Sequence, residues 1–344
     1  MQNILIYGAS GYTGALIAEH AATHRGKPIL AGRGQEKIQP LAERLSCPFR
    51  IVGLDDPNKL VAALEGVDVV LNCAGPFSRT AAPLVDACLS TKTHYLDITG
   101  EIAVFEALAA RSEAAQTAGV MLLPGVGFDV VPSDCLAVHL ARRLHAPTRL
   151  TLAFAGSGTL SHGTIVTSIE HLGAGAIRRD GKIVGVPATW KTMDIDFGGL
   201  TRSCVTIPWG DVSTAFYSTG IGNIEVFMAA PAALRRFLKV SRYLGGLLGA
   251  APVQRLLKSR VPEGGPDEAA RKTGETRVWG RVENDRGDAV EAHLRTPDGY
   301  HVTVLTALLI AERAARGDAP IGFQTPAKAY GPDLILEVEG TSRS

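Results

Sequence analysis

Residues 4 to 14 constrain the fold of this chain more than any other stretch. Ile4-Leu5-Ile6-Tyr7 runs directly into the turn Gly8-Ala9-Ser10-Gly11-Tyr12-Thr13-Gly14, and Ala15-Leu16-Ile17-Ala18-Glu19-His20 continues as helix. Strand, tight turn and helix in that order open a dinucleotide-binding sheet. Each glycine has its own task there. Gly8 makes the turn off the strand, Gly11 lets backbone approach a pyrophosphate, and Gly14 lets the helix pack against the strand. The start of the helix offers N–H groups and a partial positive charge to phosphates. Ser10 stands where the commoner pattern has its second glycine, and a glycine pattern alone also fits any sharp strand-to-helix turn.

The alternation continues. A short strand, Pro28-Ile29-Leu30-Ala31, ends in Gly32-Arg33, about where an NAD enzyme carries an acidic residue for the ribose 2′-hydroxyl. An arginine at that place accommodates a 2′-phosphate instead, so the expected cofactor is NADP. A helix over 36–45 and a strand over 49–53 follow; Asp56-Pro57 reads as the start of a further helix, with Asp55 open to an adenine contact. Val67 to Leu71 is a nearly continuous apolar strand, typical of a buried parallel sheet. It ends in Asn72-Cys73-Ala74-Gly75-Pro76-Phe77, small residues where a dinucleotide crosses the sheet edge. Cys73 has no neighbouring base in sequence to make it a nucleophile.

After a helix over 80–89, the strand His94-Tyr95-Leu96 reaches Asp97-Ile98-Thr99-Gly100-Glu101. Two readings stand side by side for this loop: substrate chemistry by its carboxylates, or capping of loop N–H groups around Thr99. One helix over 102–118 and a strand over 120–123 then deliver Pro124-Gly125-Val126-Gly127-Phe128-Asp129-Val130-Val131-Pro132-Ser133-Asp134. Its prolines and glycines hold the backbone while Phe128 and Asp129 project, Asp129 either to fix a catalytic water in substrate chemistry or as a structural carboxylate. Ser133 or Asp134 opens the next helix.

These blocks resemble the saccharopine dehydrogenase-like oxidoreductases, the branch that includes the trans-acting enoyl reductases. The resemblance rests on the glycine turn, Ala31-Gly32-Arg33, Asn72 to Phe77, Tyr95 to Glu101, and Gly127-Phe128-Asp129 through Asp134. It implies an α/β fold: an N-terminal NADP-binding Rossmann domain with a doubly wound parallel sheet, an α+β second domain, and a C-terminal return to the first. It also implies reduction of imines in amino-acid metabolism or of carbon–carbon double bonds on acyl intermediates. Amino-acid-processing members are expected to carry basic residues for substrate carboxylates, and spacing assigns no such cluster here. Arg79 is either a substrate contact or a solvated loop residue.

Composition agrees with a globular enzyme. The 344 residues suffice for two domains, 46% are apolar, and a net charge of +1 gives no general attraction to nucleic acid. The five cysteines are dispersed with no C-x-x-C pair, which reads as reduced thiols with neither disulfide frame nor metal site. No signal-peptide pattern is visible, and the uncharged run from Tyr243 to Gln254 is too short for a bilayer, so a cytoplasmic protein is expected.

The helix-rich alternation stops near Pro147. The domain assignment is therefore 1–146, completed by 300–344, for the cofactor domain and 147–299 for the substrate and dimerisation domain. Arg149 to Phe154 reads as strand, followed by a small polar loop at 155–164 and a helix over 164–177. His162 in that loop is a candidate proton donor because histidine is tunable near neutral pH. Turn signals at 179–182, 197–199, 284–287 and 296–299 bound strands near 190–197, 201–207, 223–229, 275–284 and 289–296, a mostly antiparallel sheet. Between them, 232–260 is basic and amphipathic, fit for core packing, a homodimer face or a membrane surface. The polar stretch 261–272 is a candidate lid, and a helix over 300–316 returns to the first domain.

The expected protein reduces an activated C=C bond of a small or acyl substrate with NADPH. An imine or carbonyl reductase acting on an amino-acid-like substrate, and a non-catalytic NADP-binding protein, are the alternatives. The cofactor residues are Gly8, Ser10, Gly11, Tyr12, Thr13, Gly14, Gly32, Arg33, Asn72, Cys73, Ala74 and Gly75; Asp97, Asp129 and His162 are the candidates for substrate chemistry.

Overall fold

The computed structural model describes residues 3–156, 174–241 and 264–344, with Val253 and Arg260. The chain divides into two compact units, Met1–Val131 with Tyr300–Ala329, and Pro132–Gly299 with Tyr330–Ser344.

The first unit is built on an all-parallel sheet of seven strands. These are β1 (Ile4–Tyr7), β2 (Ile29–Gly32), β3 (Phe49–Ile51), β4 (Val69–Asn72), β5 (His94–Asp97), β6 (Met121–Leu123) and the short strand Gly322–Phe323. From one edge the order is Gly322–Phe323, β6, β5, β4, β1, β2, β3. The chain steps outward from β1 on both sides, so the order reverses between β1 and β4, the switch point at which such sheets bind dinucleotides. Every residue of β1, β2 and β4 is buried, as a sheet covered on both faces requires. The helices α1 (Tyr12–His24), α2 (Gln35–Leu45), α3 (Pro57–Ala62), α4 (Phe77–Thr91), α5 (Ile102–Ala109) and α6 (Ser112–Ala118) form the crossovers. The single helix expected over 102–118 is two. Arg111 leaves helical angles (φ −97°, ψ 7°), and at the restart Ser112 Oγ accepts the Phe323 N–H at 3.1 Å, a bond an unbroken helix has no reason to offer.

The second unit carries a mixed, mostly antiparallel sheet. Its strands are β7 (Arg149–Gly156), β8 (Ala174–Arg179), β9 (Lys182–Pro187), β10 (Thr192–Asp196), β11 (Thr201–Thr206), β12 (Asn223–Ala229), β13 (Glu275–Glu283) and β14 (Ala289–Pro297). The order is β10, β11, β12, β7, β13, β14 and then Ser342–Arg343, with the β8–β9 hairpin attached to β12. Among the described strands of this second sheet only β7 and β12 pair in parallel.

Residues 174–177, expected at the end of a helix, belong to β8. Asp180 (φ 50°) and Gly181 (φ 77°) make the two-residue turn with both φ values positive that matches strand twist, and this fixes the hairpin. A helix at Asp211–Thr219 had no apolar period to announce it, because the residues it buries include Asp211, Ser213 and Thr214.

The division between the units falls after Val131, the first residue of helix α7 (Val131–Ala141), whereas the sequence put it at 146. The reason is packing. Gly280 on β13 lacks a side chain where Leu136 and Leu140 of α7 press in; an added Cβ there would meet them at 3.2 and 2.6 Å. Ser133 Oγ also donates to Asp211 Oδ2 at 2.9 Å. Residues 330–344 group with the second unit rather than the first, since Ser342–Arg343 pairs with β14. Among the described residues no helix is long and apolar enough to cross a membrane, and no cluster of His, Cys, Asp or Glu is placed to hold a metal ion.

Candidate functional site

In a parallel sheet the carboxyl ends of neighbouring strands share one edge. Register aligns Tyr7 with Asn72 and Asn72 with Asp97, so the Gly8 turn, the Asn72–Gly75 segment and the Asp97–Glu101 loop emerge together. The Gly32-Arg33 end of β2 and the 124–130 loop after β6 join them on that edge.

The glycine turn has the form its sequence suggests. Gly8 has φ +79° and donates its N–H to Ala31 O at 2.8 Å; an added Cβ would lie 2.8 Å from both the N and the Cβ of Ala74. A Cβ on Gly14 would stand 2.4 Å from Gly8 O, so α1 approaches β1 only because it has none. Gly11 differs: the nearest atom to an added Cβ is Gly8 O at 3.4 Å, and both Ser10 and Gly11 are exposed. Helix α1 starts at Gly11 with no side-chain cap and no acidic residue in its first turn. Backbone bare of side chain at an uncapped helix start fits a pyrophosphate. Tyr12 and Thr13 are half-buried beside it, and the Tyr12 ring meets Tyr300 edge-on at 5.2 Å.

At the end of β2, Gly32 is buried against Ile38 and Arg33 is exposed. Among the described residues no carboxylate pairs with Arg33. Its charge opposes the burial that raises the Tyr7 phenol. Asp56 caps α3, accepting the Lys59 N–H at 3.1 Å; Asp55 is exposed next to Gly53.

A hydrogen-bonded relay ties the three loops together. Asn72 Oδ1 accepts from Ala74 N at 3.0 Å, while its Nδ2 donates to Thr80 Oγ1 and to Tyr95 Oη, each at 3.1 Å. Thr80 Oγ1 donates to Ala74 O at 2.6 Å, and Tyr95 Oη donates to Asp97 Oδ2 at 2.8 Å. Asp97 Oδ1 accepts from Thr99 N and from Gly125 N, both at 3.0 Å. Asp97 is wholly buried, and desolvation lifts its carboxyl to about 6 despite the donors that hold it down. Glu101 reaches the other way, accepting from Phe77 N at 2.8 Å and Ser78 N at 2.9 Å at the start of α4. There it also complements the helix dipole. Thr99 Oγ1 accepts the Glu101 N–H at 3.0 Å. Of the two readings open for this loop, these bonds carry out the capping one.

Asp129 stands apart in kind. It is partly exposed, it lies against Gly100, where an added Cβ would meet its Oδ2 at 2.7 Å, and burial raises its carboxyl to about 6. Its loop is fixed by the helix Gly299–Ala315: Thr303 Oγ1 accepts the Phe128 N–H at 3.0 Å and Thr306 Oγ1 donates to Val126 O at 2.7 Å. Cys73 is no nucleophile, since burial and the Asp97 charge push its thiol far up. Its N–H is spent on Tyr7 O at 2.8 Å. His162 and most of 232–260 lie outside the described residues.

Strand order, bare glycine turn and uncapped helix start define a dinucleotide-binding domain. Its kind is given by known proteins: the family described as the saccharopine dehydrogenase NADP binding domain matches residues 4–123. NADP is therefore the cofactor of this domain, and the resemblance read from the sequence holds. A trans-acting enoyl reductase of Mycobacterium leprae is 34% identical over 150 residues, covering 41% of this chain and 36% of that one. Its namesake in Mycobacterium ulcerans is 29% identical over 182 residues, 48% of this chain and 44% of the other. The matched stretches thus span less than half the length of these curated relatives. The whole chain has the fold of saccharopine dehydrogenase (L-Glu forming) from Saccharomyces cerevisiae, with a TM-score of 0.68 at 13% identity over 98% of this chain and 96% of that one.

The sequence reading missed Tyr95, Thr80, Thr303 and Thr306. Tyr95 was within reach, because it lies two residues before Asp97 and so on the same face of β5. The threonines of the Gly299–Ala315 helix carried no such signal.

Proposed function

We propose that the chain is an NADP-dependent oxidoreductase that reduces an activated C=C bond of a small or acyl substrate. The observation that supports this most is the 34% identity over 150 residues to a protein named trans-acting enoyl reductase. Gly8, Ser10, Gly11, Tyr12, Thr13 and Gly14 hold the pyrophosphate, and Arg33, beside Gly32, takes the 2′-phosphate. Asn72, Cys73, Ala74 and Gly75 present backbone to the nicotinamide half. Bound NADPH supplies the hydride.

In this reading Asp97 positions and Asp129 handles the proton. Asp97 has both oxygens engaged, braces three loops and is wholly buried. Asp129 is partly exposed, and its value of about 6 leaves a protonated fraction near neutral pH. A general acid works in its protonated form, so turnover is expected to fall as pH rises beyond about 6. Asp129→Asn is expected to lower kcat and flatten that limb.

The test is NADPH consumption against a panel of 2-enoyl thioesters, cyclic imines and ketones, with products identified by mass. Consumption with enoyl thioesters and saturated products is the expected result. Consumption with imines alone would move the substrate class to amino-acid-like compounds. No consumption across the panel, with NADPH still bound, would leave a non-catalytic NADP-binding protein.

A further inference from the structure

The second unit has a pocket of its own. Along β11, β12, β7 and β13 one sheet face carries the apolar cluster of Cys204, Phe227, Ala153 and Trp279, with Ile195 and Phe197 packed on it. Pairing aligns Phe227 with Ala153 and Ala153 with Trp279. Side chains alternate in strands, so two residues further along the same face stand Ala229, Ala155 and Arg277, with Arg202 two residues before Cys204. Small side chains replace large ones at the centre of this row. The result is a hollow of about 500 Å³ floored by Ala155, Ala229 and Leu200 and bordered by Arg202, Arg235, Arg277 and Glu275.

Among the described residues the charges around it do not balance. Glu275 serves two arginines at once, accepting from Arg277 Nε at 2.7 Å and from Arg295 Nε at 2.5 Å. Among the described residues Arg235 and Arg202 have backbone partners only, Ala230 O at 2.9 Å and Thr201 O at 3.1 Å, and neither has a carboxylate. Asp194, on the neighbouring β10, is hydrogen-bonded by Ser203 Oγ at 2.5 Å. Arg235 is also near enough to Cys204 to oppose the rise of its thiol, so its charge bears on this face.

We propose that this pocket binds the oxyanion end of a small organic molecule, a carboxylate or a phosphate on a short apolar chain, with Arg235 and Arg202 as the anion partners. Planar guanidinium groups suit either oxyanion, and the alanine and leucine floor suits a chain of a few carbons. The site rests on the second unit alone and stands whether or not the reduction proposed above is correct.

The test is calorimetric titration of the full chain, without nucleotide, using hexanoate, butyl phosphate and inorganic phosphate. Hexanoate or butyl phosphate is expected to bind, and whichever is tighter tells carboxylate from phosphate. Losing one charge-assisted hydrogen bond is worth about tenfold or more, so Arg235→Ala and Arg202→Ala are each expected to weaken binding by at least that factor. Arg235→Lys should recover part of it, and added salt should weaken it. Arg33→Ala should leave it unchanged. Circular dichroism and NADPH titration of each variant report whether the fold survives. Failure of all three probes to bind the wild-type chain, or wild-type affinity in the folded Arg235→Ala and Arg202→Ala variants, would overturn the proposal. Binding of inorganic phosphate alone would also overturn it, since the apolar floor would then contribute nothing.

Discussion

Gly14→Ala is expected to abolish NADPH binding in practice, weakening it a hundredfold or more, and to cost about 2–3 kcal/mol of stability. The added methyl would sit 2.4 Å from Gly8 O and 3.1 Å from Ala9 Cα, both backbone atoms that no rotamer change moves aside. Relief requires α1 to shift away from β1, which carries the uncapped helix start out of line with the turn. NADPH titration and thermal melting on the same preparations check both effects. Gly11→Ala is the matched control, because its nearest contact is 3.4 Å and its φ of −73° suits any residue. That variant should keep its stability and lose only affinity. Wild-type NADPH affinity in Gly14→Ala would mean that the close packing of helix on strand has no part in the site.

Asp97→Ala is expected to cost about 3–5 kcal/mol, because it strands the Thr99 and Gly125 N–H groups and the Tyr95 hydroxyl in a buried place. Asp97→Asn should be far milder. The asparagine carbonyl keeps both backbone donors, and its amide turns to the Tyr95 oxygen. The two variants also separate a brace from a proton donor: a brace predicts that Asp97→Asn retains turnover. A pH signature follows as well. The folded-state value of about 6 lies above the unfolded 3.8, so between these the folded chain binds more protons and its stability falls as pH rises. Asparagine has no such proton. Relative to wild type, Asp97→Asn should therefore gain about 2 kcal/mol between pH 4 and pH 6. Asp129 shifts in the same direction, so part of the slope persists in the variant. Denaturant midpoints at the two pH values measure the gap, and a constant difference would contradict the assignment.

What the sequence disclosed follows the range of the forces involved. Strands β1, β2, β4, β5 and β6 are the short apolar runs that a buried parallel sheet demands, and they and the more exposed β3 were visible within two residues; the short strand Gly322–Phe323 was not read. In the second unit, β10 to β14 showed through their turn residues. The break at Arg111 was hidden because its benefit, the Ser112 bond to Phe323, arrives from a residue far along the chain. The roles of Asp97 and Glu101 stayed open for the same reason. Their partners at Gly125, Phe77 and Ser78 become neighbours only when adjacent strands align. The arginine pocket is the extreme case, assembled from residues 155, 202, 235 and 277, each of which read alone is an ordinary surface or strand position.

The measurement closest to the central claim is a titration of the purified chain with NADPH and with NADH, wild type beside Arg33→Ala, followed by nucleotide fluorescence. Arg33 is exposed at the end of β2 with no carboxylate paired to it among the described residues, so its removal should leave the fold intact. Tight NADPH binding that weakens about tenfold or more in the variant, with NADH affinity unchanged, is the predicted result. Equal loss for both nucleotides would remove Arg33 from the 2′-phosphate, and no binding of either by the wild-type chain would contradict the account at its root.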